Sequence, residues 1–223
     1  MINQTNLQEI YANIEKAAIK SGRKAEDIKL IAVSKMHSIE EINKGISLGL
    51  TDLGENKVQE LCSKYGQTIK EVNWHLIGHL QTNKVKQIVD KVCLIHSVDS
   101  LHLAEEIDKR CKEISKTMDI LIQVNAAGEE SKFGVSLKEV LPLAEEIKKN
   151  CKNLRIRGLM HIAPAAENPE DVRKYFTDVK KIYDQMENVD ILSMGMSHDY
   201  EIAIEEGANM VRIGTLIFGE RNY

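Results

Sequence analysis

Short apolar runs rich in β-branched residues alternate with longer amphipathic segments along the whole chain. Eight such runs follow a leading helix that we predict at about residues 7–21. Parallel strands joined by helical crossovers produce this alternation, and the run 120–124, which hardly alternates in polarity, indicates a strand buried on both faces. The sequence therefore predicts an α/β fold, a single (β/α)8 barrel of the TIM type with an N-terminal helix, as one domain over residues 1–223.

The boundaries of the elements follow from periodicity and from capping residues. A capping box of Ser38 and Glu41 marks the start of the first helix after strand one. The predicted strands cover residues 28–34, 52–56, 73–78, 92–98, 119–125, 154–161, 191–196 and 210–218. The predicted helices between them cover residues 38–48, 58–64, 83–89, 100–114, 136–150, 169–186 and 199–206. An open doubly wound sheet is the alternative, but it would need a glycine-rich phosphate turn after strand one, where this chain has Lys35, Met36 and His37.

Charge and composition limit the class of protein. The chain has 30 Lys and Arg against 34 Asp and Glu, and no basic stripe of the kind that binds nucleic acid. Its longest apolar stretches have the length of strands, and its N-terminus lacks the basic-then-apolar order of a signal peptide. The four cysteines are isolated, with no C-x-x-C pair, in contexts typical of reduced core cysteines. We therefore expect a soluble cytoplasmic protein without disulfides, nucleic-acid partner or membrane segment.

Lys35 closes the apolar run of strand one and so lies at the C-terminal mouth of a predicted buried strand. Desolvation of an ammonium group lowers its pKa, and a neutral lysine amine can condense with an aldehyde. The alternative is a lysine that reaches water by snorkelling at the strand end. From this segment alone both interpretations stay open.

Other polar residues also follow the predicted strands, where barrels carry their ligand sites. Glycines and hydroxyl groups occur after strands seven and eight, the loops that often bind phosphate in barrels. Arg212 in strand eight needs a partner, either a carboxylate such as Glu55 or Glu220 or a ligand atom. Pyridoxal 5'-phosphate (PLP) requires an amine for its aldehyde, backbone and hydroxyl donors for its phosphate, and a partner for its pyridine nitrogen. Lys35, the loops after strands seven and eight (the predicted phosphate cup) and Arg212 would supply these three groups. The residues at these strand ends are Lys35, Glu55, Asn56, His75, Asn125, Met160, His161, Ser197, His198, Arg212, Gly214 and Thr215.

Six motifs in order resemble the pyridoxal-phosphate homeostasis protein family, across nearly the whole chain. That family is similar in fold to the barrel domain of bacterial alanine racemases, and its members bind PLP as a Schiff base on the lysine that corresponds to Lys35. One departure is visible, since the family commonly has Thr or Ser and then a proline after this lysine, where this chain has Met36, His37 and Ser38. The motifs are Ile31-Ala-Val-Ser-Lys35, Gly54-Glu-Asn56 with Val58-Gln-Glu60, Trp74-His-Leu-Ile-Gly78 with Leu80-Gln-Thr-Asn-Lys84, Arg157-Gly-Leu-Met160, Leu192-Ser-Met-Gly-Met-Ser197, and Val211-Arg-Ile-Gly-Thr215 with Ile217-Phe-Gly219.

The resemblance implies a role for each matching residue. Lys35 would carry PLP, and Ser197, Gly214 and Thr215 would hold its phosphate. Arg212 would face the pyridine nitrogen. The ring would be lined by Asn56, His75 and Met160.

An arginine at the pyridine nitrogen disfavours protonation there and so weakens the electron sink that carbanion chemistry needs. The alanine racemases that this family resembles take a second base, a tyrosine, from a separate β domain of the dimer partner, and we expect no such domain in this chain. We therefore expect a monomeric PLP carrier or buffer without substantial catalysis, which affects amino-acid and keto-acid balance and passes PLP to PLP-dependent apoenzymes. The alternatives are a weak PLP-dependent racemase, transaminase-like enzyme or lyase with His75 or His198 as base, and a cofactor-free Schiff-base lyase or phosphosugar enzyme.

Two weaker signals remain. His75 and His79 are four residues apart but straddle a strand end, so the shared helical face that zinc ligation would need is absent and we expect no metal. The loop after strand five contains Lys132, and it either folds over the site or is an exposed charged loop.

Overall fold

The computed structural model describes residues 2, 4–129 and 131–219 of the chain. Within these residues eight parallel strands close into a barrel in chain order, with β1 paired to β8, so the predicted (β/α)8 barrel is confirmed. In the described part of the chain, no helix combines the length and the apolar character needed to span a membrane. The strands are β1 (Lys29–Val33), β2 (Asp52–Glu55), β3 (Asn73–Leu76), β4 (Leu94–Val98), β5 (Met118–Val124), β6 (Leu154–His161), β7 (Ile191–Ser193) and β8 (Met210–Ile213).

Helices surround the barrel, and α1 packs against α7 and α8 through apolar positions spaced three and four residues apart, among them Leu7, Ile10 and Ile14. The α-helices are α1 (Gln4–Lys20), α2 (Ile39–Ser47), α3 (Val58–Lys64), α4 (Leu101–Glu113), α5 (Val140–Asn150), α6 (Arg173–Tyr183), α7 (Tyr200–Glu205) and α8 (Thr215–Phe218). Short 3-10 helices cover Ala25–Asp27, Thr82–Gln87 and Pro169–Val172.

The predicted capping box is confirmed, because the backbone N–H of Glu41 donates to Ser38 Oγ at 3.3 Å and the N–H of Ser38 donates to Glu41 Oε2 at 3.0 Å. This box ends the segment after Lys35 and begins α2. The α3 boundaries and the β6 boundaries also match the prediction.

Strand eight is shorter than predicted. The chain leaves the sheet at Ile213 and turns at Gly214 into α8. Periodicity does not distinguish a strand from a helix in so short an apolar run. The alternation of buried and exposed side chains that a strand would show breaks after Gly214, because the neighbours Ile217 and Phe218 are both buried. The segment predicted as a helix from residue 83 is a 3-10 helix, and α5 begins at Val140 instead of at residue 136.

Two apolar layers stabilise the barrel. The larger lies between the strands and the surrounding helices. The smaller fills the inside of the barrel and consists of Ile31, Leu94, Leu121, Met160 and Met210. The same interior holds buried polar side chains, which is unusual for a packed barrel core.

All four cysteines are free thiols. Cys111 and Cys151 are buried as predicted and Cys62 is half-buried, but Cys93 is exposed. The prediction of a buried context is therefore wrong for Cys93, because β4 begins only at Leu94 and Cys93 precedes it at the N-terminal rim of the barrel.

Candidate functional site

A cavity of about 430 Å³ opens at the C-terminal ends of the strands, within the size range of small-molecule sites. Six of the eight predicted site residues line it: Lys35, Asn56, Ser197, Arg212, Gly214 and Thr215. The remaining lining residues are Val33, His37, Ile77, Ile162, Met196, His198 and Gly219. His198 was named from the sequence as a strand-end residue and a candidate base, whereas the other six were not named as site residues. Ile77 and Ile162 directly follow β3 and β6, so the rule applied to polar strand-end residues could also have included them.

Lys35 follows a backbone segment that is fixed by buried polar contacts. Ser34 is fully buried, and its Oγ donates to Glu55 Oε1 at 2.6 Å. Lys64 Nζ donates to the carbonyl oxygen of Ser34 and to Glu55 Oε1, each at 2.8 Å, and to Glu60 Oε1 at 2.7 Å. The strand end that presents Lys35 is therefore held by a buried ion pair.

The residue after Lys35 is strained. Met36 has a φ of +64°, in the left-handed region that non-glycine residues rarely adopt. Its backbone N–H donates to the Glu60 carboxylate, which holds this conformation. His37 then stacks on Phe218 of α8, with ring centroids 4.8 Å apart. Thus the departure from the family pattern at Met36 and His37 is accompanied by specific contacts that order the loop.

Arg212 is buried in the barrel wall. Its Nη1 donates to Ser193 Oγ at 2.6 Å, and its Nη2 donates to the carbonyl oxygen of His161 at 2.8 Å. Burial lowers the pKa of Arg212 to about 10, and Asp199 opposes that shift, so the guanidinium stays charged at neutral pH. These contacts fix the plane of the guanidinium at the edge of the cavity.

Glu55, one of the carboxylates considered as a partner of Arg212, does not pair with it. Glu55 instead contacts Ser34 and Lys64, and its Oε2 is buried without a hydrogen-bond partner among the described residues. Burial raises the pKa of Glu55, and Lys64 opposes that shift. Glu220, the other carboxylate considered, lies outside the described residues.

Close backbone approach brings the donors of the cavity together. A Cβ on Gly214 would lie 3.3 Å from Cβ and O of Val33, so glycine lets the turn after β8 pack beside the end of β1. The N–H of Gly214 donates to Ser197 Oγ at 3.4 Å. A Cβ on Gly78 would lie 2.3 Å from the carbonyl oxygen of Asn56, so glycine also allows the chain after β3 to pack against Asn56.

The charge of the cavity favours an anionic ligand. Lys35 and Arg212 line it, and no carboxylate occurs among its described lining residues. Hydroxyl groups of Ser197 and Thr215 and the backbone around Gly214 add hydrogen-bond donors. This set of cations and donors suits an anionic group such as a phosphate.

His75 and Met160 differ from the prediction, since neither lines this cavity. His75 lines a second cavity, at the N-terminal end of the barrel, with its Nε2 at 3.1 Å from Asp52 Oδ1. Met160 is fully buried in the interior apolar cluster. Ile162 packs against that cluster and does line the cavity, so the cluster that includes Met160 lies next to the cavity.

The loop with Lys132 lies beside the cavity. Lys132 Nζ donates to Glu129 Oε1 at 2.9 Å and to the carbonyl oxygen of Ala163 at 3.2 Å. Phe133 stacks on His79 with centroids 3.7 Å apart. The loop is therefore packed onto the same end of the barrel, next to Ile162, without contributing to the described lining of the cavity.

Comparison with known proteins identifies the family. Residues 5–222 match the family described as alanine racemase, N-terminal domain. A pyridoxal phosphate homeostasis protein of Aquifex aeolicus is 47% identical over an alignment of 227 residues, which covers 97% of both chains. A protein of the same name from Helicobacter pylori is 41% identical over 213 residues, which covers 95% of this chain and 96% of its own. The solved structure of PipY from Synechococcus elongatus with PLP bound has a TM-score of 0.81 and 31% identity, covering 93% of this chain and 99% of PipY. The chain therefore belongs to the pyridoxal phosphate homeostasis proteins, within the alanine racemase N-terminal domain family.

Proposed function

We propose that this protein binds PLP in the C-terminal cavity, as a Schiff base on Lys35, and acts in intracellular PLP homeostasis as a carrier or buffer without substantial catalysis. One observation carries the proposal: a lysine amine and a buried charged arginine share a cavity whose described lining has hydroxyl and backbone donors but no carboxylate. The names of the relatives and the PLP in the PipY structure support it.

The residues present fit the chemical parts of PLP. Lys35 would supply the amine, while Ser197, Gly214 and Thr215 would donate to the phosphate. Arg212 would face the ring nitrogen, and Asn56 would lie at the side of the ring. Bound PLP supplies an aldehyde that condenses reversibly with an amine, which suits storage and release.

Arg212 also bears on catalysis. Its guanidinium remains charged, because a pKa of about 10 is well above neutral pH. A cation at the ring nitrogen disfavours a proton there, which weakens the electron sink needed for carbanion chemistry. The contacts to Ser193 and His161 keep this cation in place. The site is thus better suited to holding PLP than to turnover.

A PLP-dependent racemase or lyase of weak activity is the second candidate, because His198 lines the cavity and is exposed. His75 is not available as its base, since it faces the other end of the barrel. No tyrosine occurs among the described residues that line the cavity. Turnover of an added amino acid would favour the enzyme, whereas release of PLP without turnover would favour the carrier.

The test of the proposal is covalent attachment. The purified protein is incubated with PLP, its absorbance is recorded, and the adduct is reduced with borohydride and located by mass spectrometry. We expect a Schiff-base band and a reduced adduct on Lys35, lost in Lys35→Ala and kept in Lys44→Ala, an exposed lysine on α2. Absence of band and adduct in the unmodified protein would reject PLP binding and favour a cofactor-free barrel enzyme.

The carrier role has its own test. We propose that the protein is a cytoplasmic monomer that passes PLP to PLP-dependent apoenzymes. PLP-loaded protein is mixed with an apoenzyme, and the activity recovered is compared with that from an equal amount of free PLP. Sedimentation velocity at the same concentration gives the oligomeric state.

A further inference from the structure

Five buried polar side chains form a continuous hydrogen-bonded path through the inside of the barrel. His75 Nε2 lies 3.1 Å from Asp52 Oδ1, and His75 Nδ1 lies 3.1 Å from His96 Nε2. His96 Nδ1 lies 3.1 Å from Ser193 Oγ, which accepts from Arg212 Nη1 at 2.6 Å. The contact between His96 on β4 and Ser193 on β7 crosses the barrel, because these strands are not neighbours.

When every donor on the path points toward Asp52, each imidazole has one protonated and one unprotonated nitrogen, so both rings are neutral. A carboxylate only accepts, so His75 must carry its proton on Nε2 to bond Asp52. His75 Nδ1 then accepts from His96 Nε2–H, and His96 Nδ1 accepts the hydroxyl proton of Ser193. Ser193 Oγ is left to accept from Arg212, which is a donor only. Each of the four contacts on the path then has one donor and one acceptor.

The burial of the path supports these protonation states. All five residues are buried. Burial lowers the pKa of His75, opposed by Asp52, and holds that of His96 well below its ordinary value. Burial raises the pKa of Asp52, but hydrogen bonds from His75 and Thr51 outweigh burial and keep it well below its ordinary value. A charged carboxylate and two neutral rings are the result.

Cys93, His75 and Asp52 do not form a catalytic triad. The Sγ of Cys93 lies 3.5 Å from His75 Nε2, the same nitrogen that contacts Asp52. In a Cys-His-Asp triad the two nitrogens of the ring serve different partners. Here both partners compete for one nitrogen while the other faces His96, so a triad is excluded.

We propose that Asp52, His75, His96 and Ser193 are positioning residues that orient Arg212 toward the ring nitrogen of PLP. The proposal rests on the proposed function, because it assumes that PLP occupies the C-terminal cavity. The negative charge of Asp52 polarises the chain of hydrogen bonds, so Ser193 Oγ becomes a better acceptor for Arg212 Nη1. The carbonyl oxygen of His161 accepts from Nη2, so both Nη atoms of the guanidinium have a fixed acceptor.

The path also joins the two ends of the barrel. Asp52 and His75 line a cavity of about 420 Å³ at the N-terminal end, where Lys29 Nζ contacts Asp52 Oδ1 at 3.2 Å. Arg212 lines the cavity at the other end. A change of charge at Asp52 is therefore expected to alter the surroundings of PLP without contact between them.

The first experiment compares Ser193→Ala with Ser97→Ala. Ser97 is also a buried serine, on β4, but its hydroxyl donates to the carbonyl oxygen of Gly78 at 2.7 Å and takes no part in the path. Ser193→Ala should weaken PLP binding about tenfold, the loss expected for one hydrogen bond to a charged group, and shift the absorption band of bound PLP. Ser193→Thr, which keeps the hydroxyl, should restore both properties. A Ser193→Ala variant indistinguishable from Ser97→Ala in affinity and spectrum would overturn the proposal.

The second experiment needs no PLP. In the ligand-free protein, ¹⁵N-labelled histidine spectra should show His75 and His96 as neutral Nε2–H tautomers, with a scalar coupling across the N–H···N bond between them. An Nδ1–H tautomer on either ring would overturn the path. If the unmodified protein does not bind PLP, the proposed function is wrong, and so is the orienting role of the path. The histidine spectra still decide whether the hydrogen-bonded path exists.

Discussion

His37 stacks on Phe218, with ring centroids 4.8 Å apart and an angle of 26° between the ring planes. The contact joins the loop after Lys35 to α8, which begins at Thr215. Two sides of the candidate site, the amine and the predicted phosphate cup, are therefore connected by one aromatic pair. Neither side can move away without separating these rings.

A double-mutant cycle with His37→Ala and Phe218→Leu measures this connection. We expect a coupling energy of about 0.5–1.5 kcal/mol in the free energy of unfolding, the range measured for aromatic pairs. The two single variants should also bind PLP more weakly, because the two sides of the site then move independently. Urea denaturation of the four proteins gives the coupling, and strict additivity of the two substitutions would contradict it.

Lys64 is expected to matter more for stability than any exposed lysine. Lys64→Met would leave Glu55 buried without its cation, and breaking a buried pair costs about 3–5 kcal/mol. The double variant Lys64→Met with Glu55→Gln should recover much of that loss, since no charge is then left uncompensated. Lys181→Met removes an exposed pair with Asp178 and should cost less than about 1 kcal/mol. Equal effects of Lys64→Met and Lys181→Met on urea denaturation would refute the argument.

Lys35, Arg212 and Gly214 could be identified from the sequence because each is an unusual residue at the end of an apolar run. His75 could not be placed in the same way. By count it lies near the end of β3, but it pairs with Gly54 on one side and with Leu94, the first residue of β4, on the other. The stagger of strands in a closed barrel sets the height of each residue, and a single sequence does not show that stagger.

The partners of the buried charged side chains could not be predicted from the sequence either. Glu55 was a reasonable partner for Arg212 because both belong to the barrel, yet Lys64, nine residues after Glu55 on α3, takes that carboxylate. Arg212 instead uses a serine hydroxyl and a carbonyl oxygen, neither of which has a charge signature in sequence. Pairing between helices and strands depends on side-chain direction, which is known only once the fold is built.

Lys35→Ala should remove covalent PLP while leaving the fold intact. The side chain is half-buried at the mouth of the barrel and contributes no part of the apolar core. We expect no borohydride-reducible adduct and a thermal midpoint within a few degrees of the unmodified protein. Mass spectrometry and a melting curve on the same sample check both halves of this prediction. A Lys35→Ala protein that still yields the reduced adduct would place the attachment on another lysine.

Arg212→Gln tests the electrostatic role of the guanidinium. Glutamine can still donate to Ser193 or to the carbonyl oxygen of His161, but it brings no charge to the ring nitrogen of PLP. We expect PLP to remain attached to Lys35, with an absorption band shifted from that of the unmodified protein and weaker retention on dialysis. An unchanged spectrum with full occupancy would show that Arg212 does not face the ring.

Stability should decline in mild acid because of buried histidines such as His161. Burial lowers the pKa of His161 to about 4, and its Nε2 is buried without a hydrogen-bond partner among the described residues. The ordinary pKa of histidine is about 6.5, so below that pH the unfolded chain takes up a proton that the folded protein refuses. The contribution of neutral His161 to the free energy of unfolding is therefore fully present above about pH 6.5 and is lost progressively as the pH falls to about 4.

The size of that loss follows from the shift. A difference of between two and three pKa units corresponds to about 3 kcal/mol in the free energy of unfolding. Urea denaturation between pH 7.5 and 4.5 should show the decline, and His161→Gln should reduce it although it lowers stability at neutral pH. His102→Gln, on the exposed side of α4, is the matched control and should leave the slope unchanged. A slope that is the same in the His161→Gln protein as in the control would mean that other groups, His75 and His96 among them, account for the acid sensitivity.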